Sequence, residues 1–143
     1  MNYLLDTNVV SELRKVRAGK ADANVVRWIQ GVPTALLFIS AITLFELEVG
    51  VLRVERRDPP QGELVRHWLD HNVNLAFHGR VLVVNAAVAR RAAEVNVPDQ
   101  APVRDALIGA TAAANDLTLI TRNVKDFAGF SGLPLYNPWE PAA

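Results

Sequence analysis

Tyr3–Asn8 reads YLLDTN: three apolar or aromatic residues pass directly into a carboxylate, a hydroxyl and an amide. A chain that only needs to turn uses Gly, Asn or Pro. Residues 2–5 therefore read as a buried strand whose exit carries chemistry: Asp6, Thr7 and Asn8. Working outward, the same solidly apolar pattern returns in ALLFIS (35–40), RVLVV (80–84) and LTLIT (117–121), and LPLYN (133–137) adds an edge strand. Strands without polar alternation are expected where both sheet faces are covered. The segments between them have helical periodicity. They are VVSELRK (9–15), ADANVVRWIQG (21–31), AITLFELEVGVLRVERR (41–57), GELVRHWLDHN (62–72), AAVARRAAEVN (86–96) and VRDALIGATAAAND (103–116). Ser40 is placed to cap the third of these, and DPP (58–60) breaks the chain after it. Leu64, Trp68 and His71 are expected on one face of the fourth helix. Strands alternating with helices predict an α/β three-layer sandwich around a mainly parallel sheet of four to five strands, as one domain over 1–143.

The totals narrow the function. Half of the 143 residues are hydrophobic, which supports a core of ordinary size. Fifteen basic residues balance 15 acidic ones, so bulk charge gives no nucleic-acid signal. Arg outnumbers Lys 12 to 3, which leaves room for a local phosphate-binding patch. There is no cysteine, so disulfides, thiolate metal sites and thiol nucleophiles are excluded. The first residues lack the pattern of a secretion signal, and no apolar run approaches the roughly 20 residues of a membrane helix. A soluble, cytoplasmic protein is expected. No GxxxxGK[ST], GxGxxG or GxSxG motif occurs, which argues against ordinary nucleotide binding and serine hydrolysis.

In open α/β sheets ligands gather beyond the carboxyl ends of the strands. There the sequence places Asp6, Thr7 and Asn8, then Ser40 with Glu46 nearly two turns into the next helix, then Thr121, Arg122 and Asn123 with Asp126 close behind. Asp105 opens the helix before the fourth strand and must reach the site across a neighbouring element. Carboxylates converging without His or Cys suit Mg²⁺ or Mn²⁺, which take oxygen ligands and keep several waters. Without a cation, such crowding raises each acid's pKa. Each residue has a plainer role open to it. Asp6 can cap the following helix, Asp105 can face a helix dipole, and Asp126 can cap a short turn. Glu46 and Glu48 are both flanked by apolar residues, and periodicity does not choose between them. Arg14, Arg122 and Lys125 are candidates to meet phosphates, with solvation the plain alternative. His67 and His71 share a helix face, expected to be wet. Trp28, Trp68 and Trp139 are expected in the core or an interface.

Three segments, YLLDTNVVSEL, ISAITLFELEVG and DALIGATAAANDLTLITRNVKDF, lie in order along nearly the whole chain. Together they resemble the PIN-domain ribonucleases, specifically the toxins of VapBC-type toxin–antitoxin pairs. The resemblance implies a Mg²⁺- or Mn²⁺-dependent endoribonuclease, restrained by a small cognate antitoxin, with a toxin homodimer and toxin–antitoxin hetero-oligomers. It makes Asp6, Glu46 and Asp105 the catalytic and metal-holding acids. Glu46 is preferred to Glu48 because the family pattern sets Gly four residues after the acid, here Gly50. Thr7, Asn8 and Thr121 are expected as supporting groups. The family's fourth acid is replaced by Asn123, with Asp126 nearby. The chemistry expected is attack of an activated water on phosphorus with Glu46 accepting its proton, leaving a 5′-phosphate and a 3′-hydroxyl. Two other readings compete. One is a binding domain on the same fold without catalysis. The other is a phosphatase of the haloacid-dehalogenase type, which needs a second Asp where this chain has Asn8.

Overall fold

The computed structural model describes residues 1–141; residues 142 and 143 of the expected domain lie outside them. Among the described residues five strands form one parallel sheet: β1 (Tyr3–Leu5), β2 (Leu37–Ser40), β3 (Val81–Leu82), β4 (Thr118–Ile120) and β5 (Leu135–Tyr136). Their order is β3-β2-β1-β4-β5. The chain builds outward from β1 through β2 to β3, then crosses back to lay β4 on the other side of β1. The reversal falls between β1 and β4, and the carboxyl ends flanking such a reversal open into a crevice. Leu4 pairs with Phe38 and Leu119, and Leu5 with Ile120.

Among the described residues seven α-helices cover the sheet: α1 (Thr7–Leu13), α2 (Ala23–Gln30), α3 (Ala41–Arg57), α4 (Pro59–His67), α5 (Asn74–Ala76), α6 (Ala86–Glu94) and α7 (Val103–Ala114). Successive strand residues point to opposite faces, so each strand feeds two cores. Leu5 and Ile120 pack with Val9, Leu47, Val51, Val65 and Leu69 on one face. Leu4 and Leu119 pack with Val88, Ala106, Ala110 and Phe127 on the other. Leu4, Leu5, Leu119 and Ile120 are fully buried, and each such side chain contributes about 1.5–3 kcal/mol over leaving it in water. The expected three-layer arrangement is observed.

The helix starts follow local chemistry. Ser40 caps α3, its Oγ accepting from the Ile42 N–H at 3.0 Å. Asp22 caps α2 through Asn24 and Val25. DPP does break the helical run, but it also starts the next helix. Asp58 accepts from the Gln61 N–H, and Pro59 and Pro60 occupy the first turn, where a missing N–H costs nothing.

Three local expectations need correction. The strand expected over 35–40 begins with a 3-10 turn, Thr34–Leu36, and pairs only from Leu37. The strand expected over 80–84 is two residues long, and Val83 and Val84 are exposed. The Leu64, Trp68, His71 face is not the buried one. Leu64 is 66% exposed, and Val65, Leu69 and Val73 are buried instead. The chain widens to a π-helix over Trp68–Val73, so a spacing of four residues keeps one face inward where an ideal α-helix would drift away. The three tryptophans pack at the core margin as expected, with Trp28 edge-on to Tyr3 at 5.4 Å.

Candidate active site

Asp6 leaves β1 with its backbone N–H bonded to the Ile120 carbonyl across the β1/β4 reversal, at 2.9 Å. Its side chain is the N-cap of α1, so the plain capping role and a place in the site coexist. Oδ1 accepts from the Thr7 N–H at 2.8 Å and Oδ2 accepts from the Thr121 hydroxyl at 2.7 Å. Asn8 Nδ2 stands 3.4 Å from the same Oδ2. Asp6 is 6% exposed. Burial pushes its pKa from 3.8 up to about 6; the hydrogen bonds from Thr121 and Thr7 oppose that rise, and the charges of Asp105 and Glu46 add to it.

Glu46 comes from the second turn of α3. Its Oε1 accepts from the Thr7 hydroxyl at 2.7 Å, and that hydroxyl lies 3.1 Å from Thr43 Oγ1. Its Oε2 faces Arg104 Nη1 at 3.7 Å. Glu48, the alternative, turns away: Arg66 of α4 meets it at 2.6 Å and Glu55 at 3.1 Å. Asp105 enters on the first turn of α7, half-buried. Burial raises its pKa, and Asp126 and Glu46 raise it further. The acids thus act on one another in pairs: Asp6 with Asp105 and Glu46, and Asp105 with Glu46 and Asp126.

The β4 exit is held by its own bonds. Thr121 is fully buried and accepts from the Asn123 N–H at 3.0 Å, besides donating to Asp6. Asn123 contributes this backbone contact from an exposed position, whereas the carboxylate of Asp126 is the one that bears on Asp105. The candidate phosphate ligands are divided. Arg14 lies at the end of α1, its guanidinium 6.0 Å from the Trp68 ring. Arg122 stacks over Trp139 at 5.1 Å, and Lys125 shares a shallow hollow with it. His67 and His71 are exposed, with ring centres 4.4 Å apart.

Two residues at the site were missed by sequence reasoning. Thr43 is fully buried and lies one helical turn before Glu46, a polar residue in an apolar run, which was a readable signal. Arg104 faces Glu46 and lies 4.9 Å from the Phe45 ring; no local pattern marks it.

Could these residues hold a cation? The donor set is all oxygen, and a carboxylate whose pKa is raised by burial, with Asp105 and Glu46 adding to the rise, gains from a nearby positive charge. Among the described residues, no group of three or more acids or histidines is gathered closely enough to hold an ion by itself. A small hard cation needs only one or two carboxylates, with waters completing its shell, so the set fits such an ion.

The fold and its acids define a parallel α/β domain with an all-oxygen, acidic site at the sheet reversal, and comparison with known proteins gives the family. The PIN-domain model matches residues 3–132, and the chain belongs to the PIN-domain family. Within it, the chain is similar to the VapC ribonuclease Y4jK of Sinorhizobium fredii, 33% identical over 97% of this chain and 99% of that protein. Among solved structures it resembles FitAcB from Neisseria gonorrhoeae, with TM-score 0.86 and 28% identity over 97% and 99% of the two chains. A toxin–antitoxin complex from Klebsiella pneumoniae matches at TM-score 0.66 and 28% identity, over 98% and 100%. Among the described residues, no helix is long and apolar enough to cross a membrane.

Proposed function

We propose that this chain is a Mg²⁺- or Mn²⁺-dependent endoribonuclease of the cytoplasm, the toxin of a toxin–antitoxin pair, neutralised by a small cognate antitoxin and working as a homodimer within larger toxin–antitoxin assemblies. The observation that carries the reading is Asp6: a buried carboxylate at the sheet reversal, held by Thr121 and Thr7, with Glu46 and Asp105 near enough to raise its pKa. Likeness to the VapC ribonuclease of Sinorhizobium supports the activity, and likeness to the toxin–antitoxin complex of Klebsiella supports the partner.

Asp6 and Asp105 would hold the cation, with Glu46 beside them directly or through water. A divalent cation bound there supplies charge neutralisation for the phosphodiester and acidifies a water. The chain's own residues do the rest. The Thr7 N–H holds Oδ1 of Asp6, and Thr121 with the longer Asn8 contact holds Oδ2, so Oδ1 keeps a further lone pair to offer. Thr7 holds Glu46 by Oε1. Oε2, with only the longer Arg104 contact, takes the proton of the attacking water. Water attacks phosphorus, the 3′ oxygen leaves, and the products carry a 5′-phosphate and a 3′-hydroxyl. Asp126 adds negative charge on the Asp105 side, in the role for which Asn123 has no carboxylate.

The test is cleavage of a labelled cellular RNA preparation by the purified chain with Mg²⁺, with Mn²⁺ and with a chelator. Cleavage should need the metal and should be lost in Asp6→Asn and in Asp105→Asn, both still folded by circular dichroism. Full activity in chelator, or in either variant, overturns the mechanism. Mapping the 5′ ends left after induced expression identifies the RNA.

A further inference from the structure

Beyond the acids, two hollows adjoin along α1, α3 and α4. The smaller begins at the site, with Thr7 and Glu46 in its wall, and runs past Ser11 and Gly50 to Arg14 and Trp68. The larger, about 690 Å³, takes over at Arg14, Val65 and Trp68. Arg17, Lys20, Lys15 and His67 line it, and among the described residues no carboxylate does. One groove therefore leads from a negative end to a positive one.

The charges differ in availability. Lys15 is answered by Glu12 at 3.0 Å. Arg14, Arg17 and Lys20 are exposed and make no ion pair among the described residues. Trp68 is half-buried, its ring facing the Arg14 guanidinium, and a planar base can stack on either partner of such a pair. The groove floor adds an independent observation. Gly50 lies in the middle of the 17-residue α3, one turn past Glu46 on the same face. A Cβ there would meet nothing within 4 Å, so packing does not demand glycine. Glycine inside a helix is unfavourable relative to alanine, and its presence leaves the floor bare between the acids and Arg14.

We infer that a single strand of RNA lies in this groove, its phosphates on Arg14, Arg17 and Lys20 and one base against Trp68, leading to the acids across Gly50. The inference rests on the ribonuclease reading of the site. Free cations without carboxylates favour a polyanion, and the ring beside them favours one that carries bases over an acidic peptide.

The experiment measures binding apart from cleavage. A short fluorescent single-stranded RNA of mixed sequence is titrated with the full chain in chelator, across a salt series, and read by anisotropy. R17E/K20E should weaken binding on the order of tenfold or more and flatten the log–log salt slope by about 1.4, the share of two phosphate contacts. Gly50→Gln should weaken it by obstruction with no charge change. Trp68→Ala should cost about tenfold, while Trp68→Phe, which keeps a ring and guards against a folding defect, should retain most of the affinity. Unchanged affinity and slope in R17E/K20E overturn the groove. So does binding of polyglutamate by the wild type in preference to RNA, which assigns the groove to a protein segment. The outcomes separate from those of the nuclease reading. RNA bound through the groove but never cut with either ion leaves the groove standing and removes the nuclease. Cutting in R17E/K20E at unaltered KM does the reverse.

Discussion

On one side of the sheet α7 presents Ala106, Ala110 and Ala112, and Gly109 lies so close to Phe130 that a Cβ would fall 2.3 Å from the ring. On the other side α1, α3, α4 and the π turn after it meet through Val9, Leu47, Val51, Val65 and Leu69, and Gly50 looks into open space. Small residues let neighbours approach closely; Gly62 of α4 does so too, where a Cβ would fall 2.4 Å from the Glu55 backbone of α3, but Gly50 is exposed and packs against nothing. The first arrangement brings the Asp105 end of α7 in beside Asp6. The second carries Glu46 and the groove. The site lies on the seam between them, with a glycine pressed against a ring on one side and a glycine open to solvent on the other.

The comparison is tested most severely at the acids. If the tight side matters for what it delivers, Asp105→Asn should depress cleavage as much as Asp6→Asn, on the order of a hundredfold or more. Survival of activity in Asp105→Asn alone would reduce α7 to scaffolding. Next comes charge at the seam. The Asp6 pKa is raised from 3.8 to about 6, so the folded chain holds a proton there that the unfolded chain releases. In metal-free protein, stability should then fall as pH rises from about 4 to 6, by up to about 3 kcal/mol. Asp6→Asn should lack this part of the slope and be more stable than the parent at pH 7. Melting temperatures of the two chains across that range measure the difference.

The two glycines give smaller effects of opposite sign. Gly109→Ala should destabilise by about 1–3 kcal/mol through overpacking. Combining it with Phe130→Leu should cost less than the sum of the two, because they share one space. Gly50→Ala should stabilise α3 by about 0.5–1 kcal/mol. Urea titration of the set decides both. Equal responses at the two positions would erase the distinction between the filled and the open glycine.

These residues also show what a sequence makes legible. Strands buried on both faces announce themselves, because nothing polar interrupts Leu4–Leu5 or Leu119–Ile120. The Ser40 cap is visible for the same local reason, and so is Asp6 at a strand exit. Glu46 and Glu48 are not separable from their neighbours, since α3 is contacted from several sides and shows no clean polar face. What separates them is distant in sequence: Thr7 for one, Arg66 for the other. Leu64 and Val65 are adjacent and both apolar, so pattern alone does not say which faces the core; the fold buries Val65 and exposes Leu64, and the π turn that follows keeps Leu69 and Val73 on the side of Val65. The groove is invisible except for Arg14, because its cations come from the end of α1 and the loop beyond, while its aromatic comes from the far end of α4.

The reversal between β1 and β4 also orders events in time. Asp6 is made before every other acid of the site, and Thr121, which holds it, follows 115 residues later. At 5–20 residues per second the two emerge about 6–23 s apart. Through that interval β1 has no β4 beside it, Asp105 is absent for most of it, and the acids have no common place to meet. Until Thr121 has been made, the carboxylate at the β1 exit lacks the hydroxyl that holds it and the site has no complete frame.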